Sequence, residues 1–138
     1  MSIYLYVDGA SKGNPGDAAI GLIIKDCNGK VLRKYKEYIG VATNNMAEYI
    51  ALKKGLEIAA EYGKDITVMM DSRLLVKQMR KEYKVKKAHL REMMRKIEDI
   101  IARNNLNVSY IYIPREENAD ADRLANDAII EHYNNNRM

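Results

Sequence analysis

The chain has 138 residues, of which 47% are apolar and 30% charged, and its formal net charge is +4. This balance is that of one globular domain over residues 1–138 and excludes a disordered or fibrous protein. No run of about 18 apolar residues and no signal-peptide pattern is found, so we expect neither a membrane span nor secretion. The single cysteine, Cys27, predicts a reducing compartment, and we therefore expect a cytoplasmic protein without a zinc site.

The first predicted strand is an apolar run that carries one carboxylate, Asp8, into a glycine-rich turn. Burying an isolated carboxylate is costly, so Asp8 should have a cation or a metal ion as its partner. Asn28-Gly29 predicts a hairpin between the second and third strands. In chain order, the predicted elements are strands over 2–8, 18–26 and 30–39, a helix over 44–62, a strand over 65–70, helices over 73–82 and 88–103, a strand over 107–113, a helix over 119–134 and a frayed tail to 138.

This order of elements predicts an α/β fold. Three consecutive strands form a meander, and the later strands are joined through helices, which implies a mixed sheet with helices on its faces. The alternating pattern of the third strand predicts an edge position. We find no internal repeat and no domain linker.

The basic residues are concentrated in one segment. Residues 77–96, called the basic segment below, hold nine Lys or Arg against two Glu, a local charge of +7, whereas the other residues hold 14 basic against 17 acidic. Such a patch suits a polyanion such as a nucleic acid. The alternative is a solvated helical face.

Three carboxylates are expected close together. Asp8 and Asp71 each lie at or just after the end of a strand, and in adjacent parallel strands both would reach the carboxyl edge of the sheet, where ligands bind. Glu48 lies in the first turns of the long helix. Clustered carboxylates repel one another unless cations join them, and Mg²⁺ prefers a few carboxylates with phosphate oxygens. Alternatively, Glu48 interacts with the helix N-terminus, Asp71 caps a helix and Asp8 begins an Asx-turn.

Four motifs in order and spacing resemble the type I ribonucleases H over nearly the whole chain. They are Tyr6-Val-Asp8-Gly-Ala-Ser with Gly13-Asn-Pro-Gly16, Thr43-Asn44-Asn45-Met-Ala-Glu48, Met70-Asp71-Ser72, and Asn118-Ala-Asp-Ala-Asp122-Arg-Leu-Ala125. The resemblance implies the ribonuclease H-like fold, a five-stranded mixed sheet whose first three strands are antiparallel, with helices on both faces. It also implies endonucleolytic cleavage of RNA paired to DNA.

The resemblance implies four catalytic, metal-binding carboxylates: Asp8, Glu48, Asp71 and Asp122. Asp120, two residues before Asp122, is the competing candidate for the fourth position, and the Ala-Asp-x-Leu-Ala pattern of the family favours Asp122. Two Mg²⁺ ions, or Mn²⁺, would be bridged by Asp8 and the scissile phosphate. One ion would activate water and the other would stabilise the departing 3′ oxygen, leaving 5′-phosphate and 3′-hydroxyl ends.

The expected partner is an RNA–DNA hybrid. By the resemblance, Asn14, Asn45 and Glu48 lie near the 2′-hydroxyl that distinguishes RNA from DNA, and Thr43 and Asn44 lie near the DNA strand. The remaining expected substrate contacts are Lys84, Lys86, Lys87, Arg115 and Asn118. The amide and hydroxyl side chains among these are also ordinary turn and cap residues. We expect a monomer with no obligate protein partner, no membrane contact and no separate N-terminal hybrid-binding domain.

The sequence departs from the family pattern in the loop before the fourth motif. Many members carry a His there, but residues 114–118 contain none. Arg115 stays protonated and so cannot act as a base, and we expect it to position phosphate or aid product release. The alternatives are an integrase-like nuclease and a catalytically silent hybrid-binding module. The Asn-Pro-Gly and Thr-Asn-Asn segments argue against the first, and the four carboxylates argue against the second.

Overall fold

The computed structural model describes residues 2–136. In chain order the elements are β1 (Ser2–Ser11), β2 (Gly16–Asp26), β3 (Val31–Ala42), α1 (Asn44–Ala59), β4 (Asp65–Met70), α2 (Arg73–Met79), α3 (Ala88–Arg103), β5 (Asn107–Tyr112), a short 3-10 helix (Arg115–Asn118) and α4 (Ala119–Asn135). The predicted fraying from residue 134 is not found at residues 134 and 135, which belong to α4, and residues 137 and 138 lie outside the described part.

The strands form one mixed sheet in the order β3-β2-β1-β4-β5. β1, β2 and β3 are antiparallel neighbours, while β4 runs parallel to β1 and β5 parallel to β4. The predicted α/β fold is therefore confirmed, as are the antiparallel meander, the edge position of β3 and the parallel adjacency of β1 and β4.

The two faces of the sheet are covered by different helices. Ile3, Leu5 and Val7 of β1 are buried in the main core with apolar residues of α1 and α3. Each such side chain contributes about 1.5–3 kcal/mol when fully buried. On the opposite face α4 packs over β2, where a smaller cluster is centred on Ala19 and Ile129. Helices on both faces are thus confirmed.

Two glycines let α1 and α4 approach the sheet closely on either side of Asp8. A Cβ on Gly9, the next residue in β1, would overlap the backbone of Ala47 in α1. Gly21, the register partner of Asp8 in β2, lies against α4, and a Cβ there would overlap the carbonyl oxygen of Ala121. The absence of a side chain at these two glycines allows both helices to pack closely against the sheet beside Asp8.

Some element boundaries differ from the predicted ones. β1 continues past Asp8 because its antiparallel pairing with β2 extends to Ser11, opposite Ala18. Helix α2 ends at Met79 instead of residue 82, since Lys81 has a left-handed φ of 66°. The tight turn after α1 likewise ends that helix at Ala59 instead of residue 62. Among residues 2–136, no helix is both long enough and apolar enough to cross a membrane.

Candidate active site

Asp8 and Asp71 lie on neighbouring parallel strands at the carboxyl edge of the sheet. The parallel pairing of β1 with β4 ends at Tyr6 and Met69, two residues before each aspartate. Asp8 is only 9% exposed, and Asp71 is half-buried. Both line a narrow cavity together with Glu48 and Ser72. The structure therefore brings together the three carboxylates that the strand and helix pattern singled out.

The helices supply the other two carboxylates of the site. Glu48 lies in the second turn of α1 and Asp122 in the first turn of α4. Both line a second, wider cavity of about 400 Å³, which also contains Asp8, Asn44 and Arg115. Asp8 and Glu48 belong to both cavities, so the four carboxylates form one continuous surface, called the carboxylate cluster below.

Asp120 and Asp122 occupy different surroundings. Asp120 is exposed and pairs with Arg123 at 3.3 Å. The Asp122 carboxylate accepts a hydrogen bond of 3.1 Å from Nδ2 of Asn126. The Oδ1 atom of Asn126 in turn accepts a hydrogen bond of 2.9 Å from Nζ of Lys12. Of the two aspartates, Asp122 is the one beside Asp8.

Sequence reasoning missed the contribution of Asn126. Its i, i+4 spacing from Asp122 on α4 was the available signal, because side chains four residues apart on a helix are neighbours. The pairing holds the fourth carboxylate on the cavity side of the helix.

The carboxylate cluster carries strong mutual repulsion. Burial raises the pKa of Asp8 well above its usual range, and the neighbouring carboxylates of Asp71, Asp122 and Glu48 raise it further. Burial also raises the pKa of Glu48 to about 7, although the nearby Ser72 hydroxyl and Arg115 partly offset this rise. A bound cation would relieve both the burial cost and the repulsion.

The donors available at this site fit a hard divalent cation. Within residues 2–136, no three His, Cys, Asp or Glu side chains are grouped closely enough to hold a metal ion by themselves alone, without water or substrate. The four carboxylates instead offer only oxygen ligands around an open cavity, and Mg²⁺ is typically bound by a few carboxylates together with water and substrate phosphate. The donor set thus suits Mg²⁺ or Mn²⁺ better than zinc, whose sites are built mainly from His nitrogen and Cys sulfur.

Several predicted substrate contacts surround the start of α1. The Asn14 side-chain oxygen accepts a hydrogen bond of 3.1 Å from the backbone N–H of Asn44, so the β1–β2 turn lies against this helix end. Thr43 caps α1 by accepting from the N–H of Met46 at 3.2 Å. Asn44 lines the cavity of the carboxylate cluster, and Asn45 lines the neighbouring groove.

That groove, with a volume of about 520 Å³, is bordered by the basic segment. Lys84, Lys86 and Lys87 line it and are exposed, and among residues 2–136 none of the three pairs with a carboxylate. By contrast, Lys81 pairs with Glu98 at 3.1 Å. The three groove lysines therefore keep their charge available for a polyanion.

Asn118 does not lie at the surface where a substrate contact was expected. It is 1% exposed, and its Nδ2 donates to the Val7 carbonyl at 2.8 Å and to the Asp71 carboxylate at 3.1 Å. A buried amide with both donor hydrogens in use has none left for a nucleic acid, so the predicted direct contact does not fit this position.

Comparison with known proteins relates this chain to ribonucleases H. Residues 6–128 match a family model described as reverse transcriptase-like. A ribonuclease HI of Halobacterium salinarum is 38% identical over 128 residues, which cover 92% of this chain and 64% of that protein. A bifunctional protein of Mycobacterium tuberculosis is 40% identical over 131 residues, or 94% of this chain. The chain spans only 36% of the length of that mycobacterial relative.

Solved structures give the same result at the level of the fold. LC11-RNase H1, determined in complex with an RNA/DNA hybrid, is 43% identical with a TM-score of 0.91, covering 95% of this chain and 99% of that one. RNase H1 from Halobacterium salinarum is 36% identical with a TM-score of 0.90, and the coverage is the same. With a family model over most of its length and relatives of this similarity, the chain belongs to the ribonuclease H family.

Proposed function

We propose that this chain hydrolyses the RNA strand of RNA–DNA hybrids and leaves 5′-phosphate and 3′-hydroxyl ends. The observation that carries the proposal is the carboxylate cluster, in which four separate elements place acidic side chains along one continuous cavity surface. The similarity of the chain to LC11-RNase H1, whose structure was determined in complex with an RNA/DNA hybrid, also supports the proposal.

Asp8, Glu48, Asp71 and Asp122 are the residues that would hold the divalent ions, two Mg²⁺ or Mn²⁺ per site with substrate. Such ions supply an activated water and charge stabilisation at the leaving oxygen. The protein's own contribution is to keep four acidic groups close together despite their repulsion, with Asp8 buried and Glu48, Asp71 and Asp122 half-buried.

Polar groups around the cavity would orient the RNA strand. Asn14 and Asn45 offer amides, and Glu48 a carboxylate, for the ribose 2′-hydroxyl, while Thr43 and Asn44 would contact the DNA strand. Asn44 lines the carboxylate cavity and Asn45 the basic groove, so the start of α1 lies between the two. A duplex crossing this helix end would meet both surfaces.

Two sets of cations would contact the phosphates. Arg115 lines the carboxylate cavity and offers guanidinium donors suited to a phosphate, in the loop where many family members carry a His. Lys84, Lys86 and Lys87 would contact the DNA backbone across the groove. These contacts would position the duplex without reading its sequence.

We further propose that residues 1–138 act as a single catalytic domain, monomeric and cytoplasmic. The one sheet that runs from residue 2 to residue 112 supports the single domain. Light scattering of the purified chain would measure its mass, and cell fractionation its location.

The deciding experiment is cleavage of a labelled RNA–DNA hybrid beside double-stranded RNA and DNA, in Mg²⁺ and in Mn²⁺. The parent chain should cut only the RNA of the hybrid, and Asp8→Asn should abolish cleavage. Asp122→Asn should lose at least about 100-fold in rate, because changes to partners of metal ligands alone cost 10–100-fold. Asp120→Asn is the matched control and should keep its activity. Binding of the hybrid without cleavage of any duplex would show a silent binding module instead.

A further inference from the structure

Asn118 is buried at the meeting point of three elements that supply carboxylates to the cluster. Its Nδ2 donates to the carbonyl of Val7, the residue before Asp8 in β1, and to Oδ2 of Asp71, which follows β4. Asn118 itself directly precedes α4, the helix that carries Asp122. One amide group therefore contacts β1 and the end of β4 from the start of α4.

The surroundings determine which way this amide faces. Both contacted atoms are acceptors, so only the NH₂ group can satisfy them, and it uses both of its hydrogens to do so. The other polar atom of the amide, Oδ1, is buried, and no group within residues 2–136 donates a hydrogen bond to it. The two bonds donated by Nδ2 are therefore the side-chain hydrogen bonds by which Asn118 contacts the sheet edge.

The ordinary structural role of an Asn at this position does not account for it. An Asn before a helix commonly caps it by accepting from the backbone N–H groups of the first turn. Asn118 makes no such side-chain hydrogen bond to α4. Its donors point away from the helix, toward the sheet edge where Asp8 and Asp71 lie.

We propose that Asn118 is a positioning residue that orients the Asp71 carboxylate for metal binding, and that it does not contact the nucleic acid. The proposal rests on the proposed function, because it assumes that Asp71 is a metal ligand. Carboxylates that bind metals are usually held in turn by hydrogen bonds from a further residue. Asn118 supplies that bond and anchors it to the backbone next to Asp8.

Asn118→Leu tests this role because leucine keeps the approximate shape of the side chain, adds no charge and removes both donors. Asn134→Leu is the matched control, since Asn134 is exposed near the other end of α4. Mn²⁺ binding to the free protein is measured by calorimetry. Its Kd should rise by roughly 10–100-fold in Asn118→Leu, and it should not change in the control. Asn118→Ser, which keeps one hydroxyl donor, should give a smaller rise.

The affinity for the hybrid, measured in the presence of a chelator, distinguishes a positioning role of Asn118 from direct contact with the substrate. We expect Asn118→Leu to bind the hybrid as tightly as Asn134→Leu does, and to recover cleavage at higher Mg²⁺ concentration. A loss of metal-free hybrid affinity with unchanged Mn²⁺ binding would make Asn118 a substrate contact and overturn the proposal. Unchanged Mn²⁺ binding with unchanged hybrid affinity would also overturn it. If Asn118→Leu does not fold, the same two measurements on Asn118→Ser decide.

The two proposals fail in different experiments. A parent chain that cuts no hybrid would overturn the proposed function. The Mn²⁺ titration needs no substrate, so it still decides the role of Asn118.

Discussion

At the scale of single residues, the carboxylate cluster lowers the stability of the metal-free protein. Asp8 is buried among three other carboxylates, and both burial and repulsion raise its pKa. Glu48 has its pKa raised to about 7 by burial. In both residues the protonated form is favoured by the fold, so without metal the charged cluster opposes folding.

This repulsion predicts a pH-dependent stability of the metal-free protein. Since the pKa of Glu48 rises from 4.5 to about 7 on folding, its contribution to stability should be complete below pH 4.5 and lost as pH rises toward 7. Asp8→Asn removes a carboxyl group whose charged form is disfavoured in the folded protein by burial and by its acidic neighbours, so at pH 8 in chelator it should raise Tm by about 2–8 °C, the shift expected for roughly 1 kcal/mol. Thermal unfolding at pH 5 and pH 8 measures both effects. Asp120→Asn serves as the exposed control, and a lower Tm for Asp8→Asn at pH 8 would contradict the prediction.

Arg115 is the other residue whose role can be tested alone. It lines the cavity beside Asp8 and Asp122, so Arg115→Ala should weaken hybrid binding or slow turnover. Arg115→Lys should restore only part of the loss, because lysine keeps the charge but not the two-pronged donor geometry. Steady-state kinetics gives kcat and KM for each variant, with Arg123→Ala as the exposed control. Unchanged turnover and unchanged affinity in Arg115→Ala would exclude a role in phosphate positioning or product release.

At the scale of elements, close packing of helices against the sheet assembles the site. α1 and α4 lie on opposite faces, yet each delivers a carboxylate to Asp8 at the same sheet edge. Gly9 and Gly21 permit this, because any side chain there would overlap the helix backbone. The positions of α1 and α4 therefore depend on the absence of a side chain at Gly9 and at Gly21.

Adding one methyl group at Gly21 should therefore displace α4 and with it Asp122. Gly21→Ala should cost about 1–3 kcal/mol in unfolding free energy, as overpacking usually does. It should also reduce kcat by up to about 100-fold, because small displacements of catalytic groups are that costly.

Gly40→Ala is the control for this prediction. Gly40 has a φ of 84°, and apart from its chain neighbours no atom of the described residues 2–136 lies within 4 Å of the position a Cβ would take there, so the change strains the backbone without moving α4. It should lower stability by about 1–2 kcal/mol and leave the kcat of the folded protein unchanged. Denaturant unfolding and kinetics measure both effects. Equal losses of kcat in the two variants would contradict the role given to Gly21.

At the scale of the whole molecule, charge is separated along the surface. The carboxylate cluster and the basic groove lie on the two sides of the start of α1, where Asn44 and Asn45 lie. The negative site would bind cations while the positive groove binds phosphates, so one polyanion can be held close to an acidic cavity.

The groove lysines should account for part of the salt dependence of hybrid binding. Replacing Lys84, Lys86 and Lys87 by Ala should weaken binding and reduce the slope of log K against log salt by roughly one for each lost phosphate contact. Titrations of a labelled hybrid at several salt concentrations, in chelator, measure the slope. The matched control replaces Lys25, Lys30 and Lys34, which lie at the hairpin end of β2 and β3, with the same change in net charge. An equal slope change in both triple variants would place the hybrid elsewhere.

Much of the fold and of the site was predictable because the sequence patterns that indicate them are local. Apolar runs, the Asn28-Gly29 turn and the spacing of the motifs depend on residues near one another in the chain. The carboxylates Asp8, Glu48 and Asp71 were recognisable by their places at strand ends and in the first turns of a helix. The continuation of β1 to Ser11 was not predictable from the sequence, since it depends on pairing with β2.

By itself, the sequence determined the types and order of the elements, the family motifs and the concentration of positive charge in residues 77–96. The motif pattern favoured Asp122 over Asp120, but only the tertiary structure places Asp122 beside Asp8. It alone also decided that Asn118 faces inward to Asp71 and that Gly21 makes room for α4. The physical reason is that each of these depends on atoms far apart in the chain, whose distances are set when helices pack on the sheet. A helix places neighbouring residues on different faces, so the packing of α4 determines which aspartate enters the site.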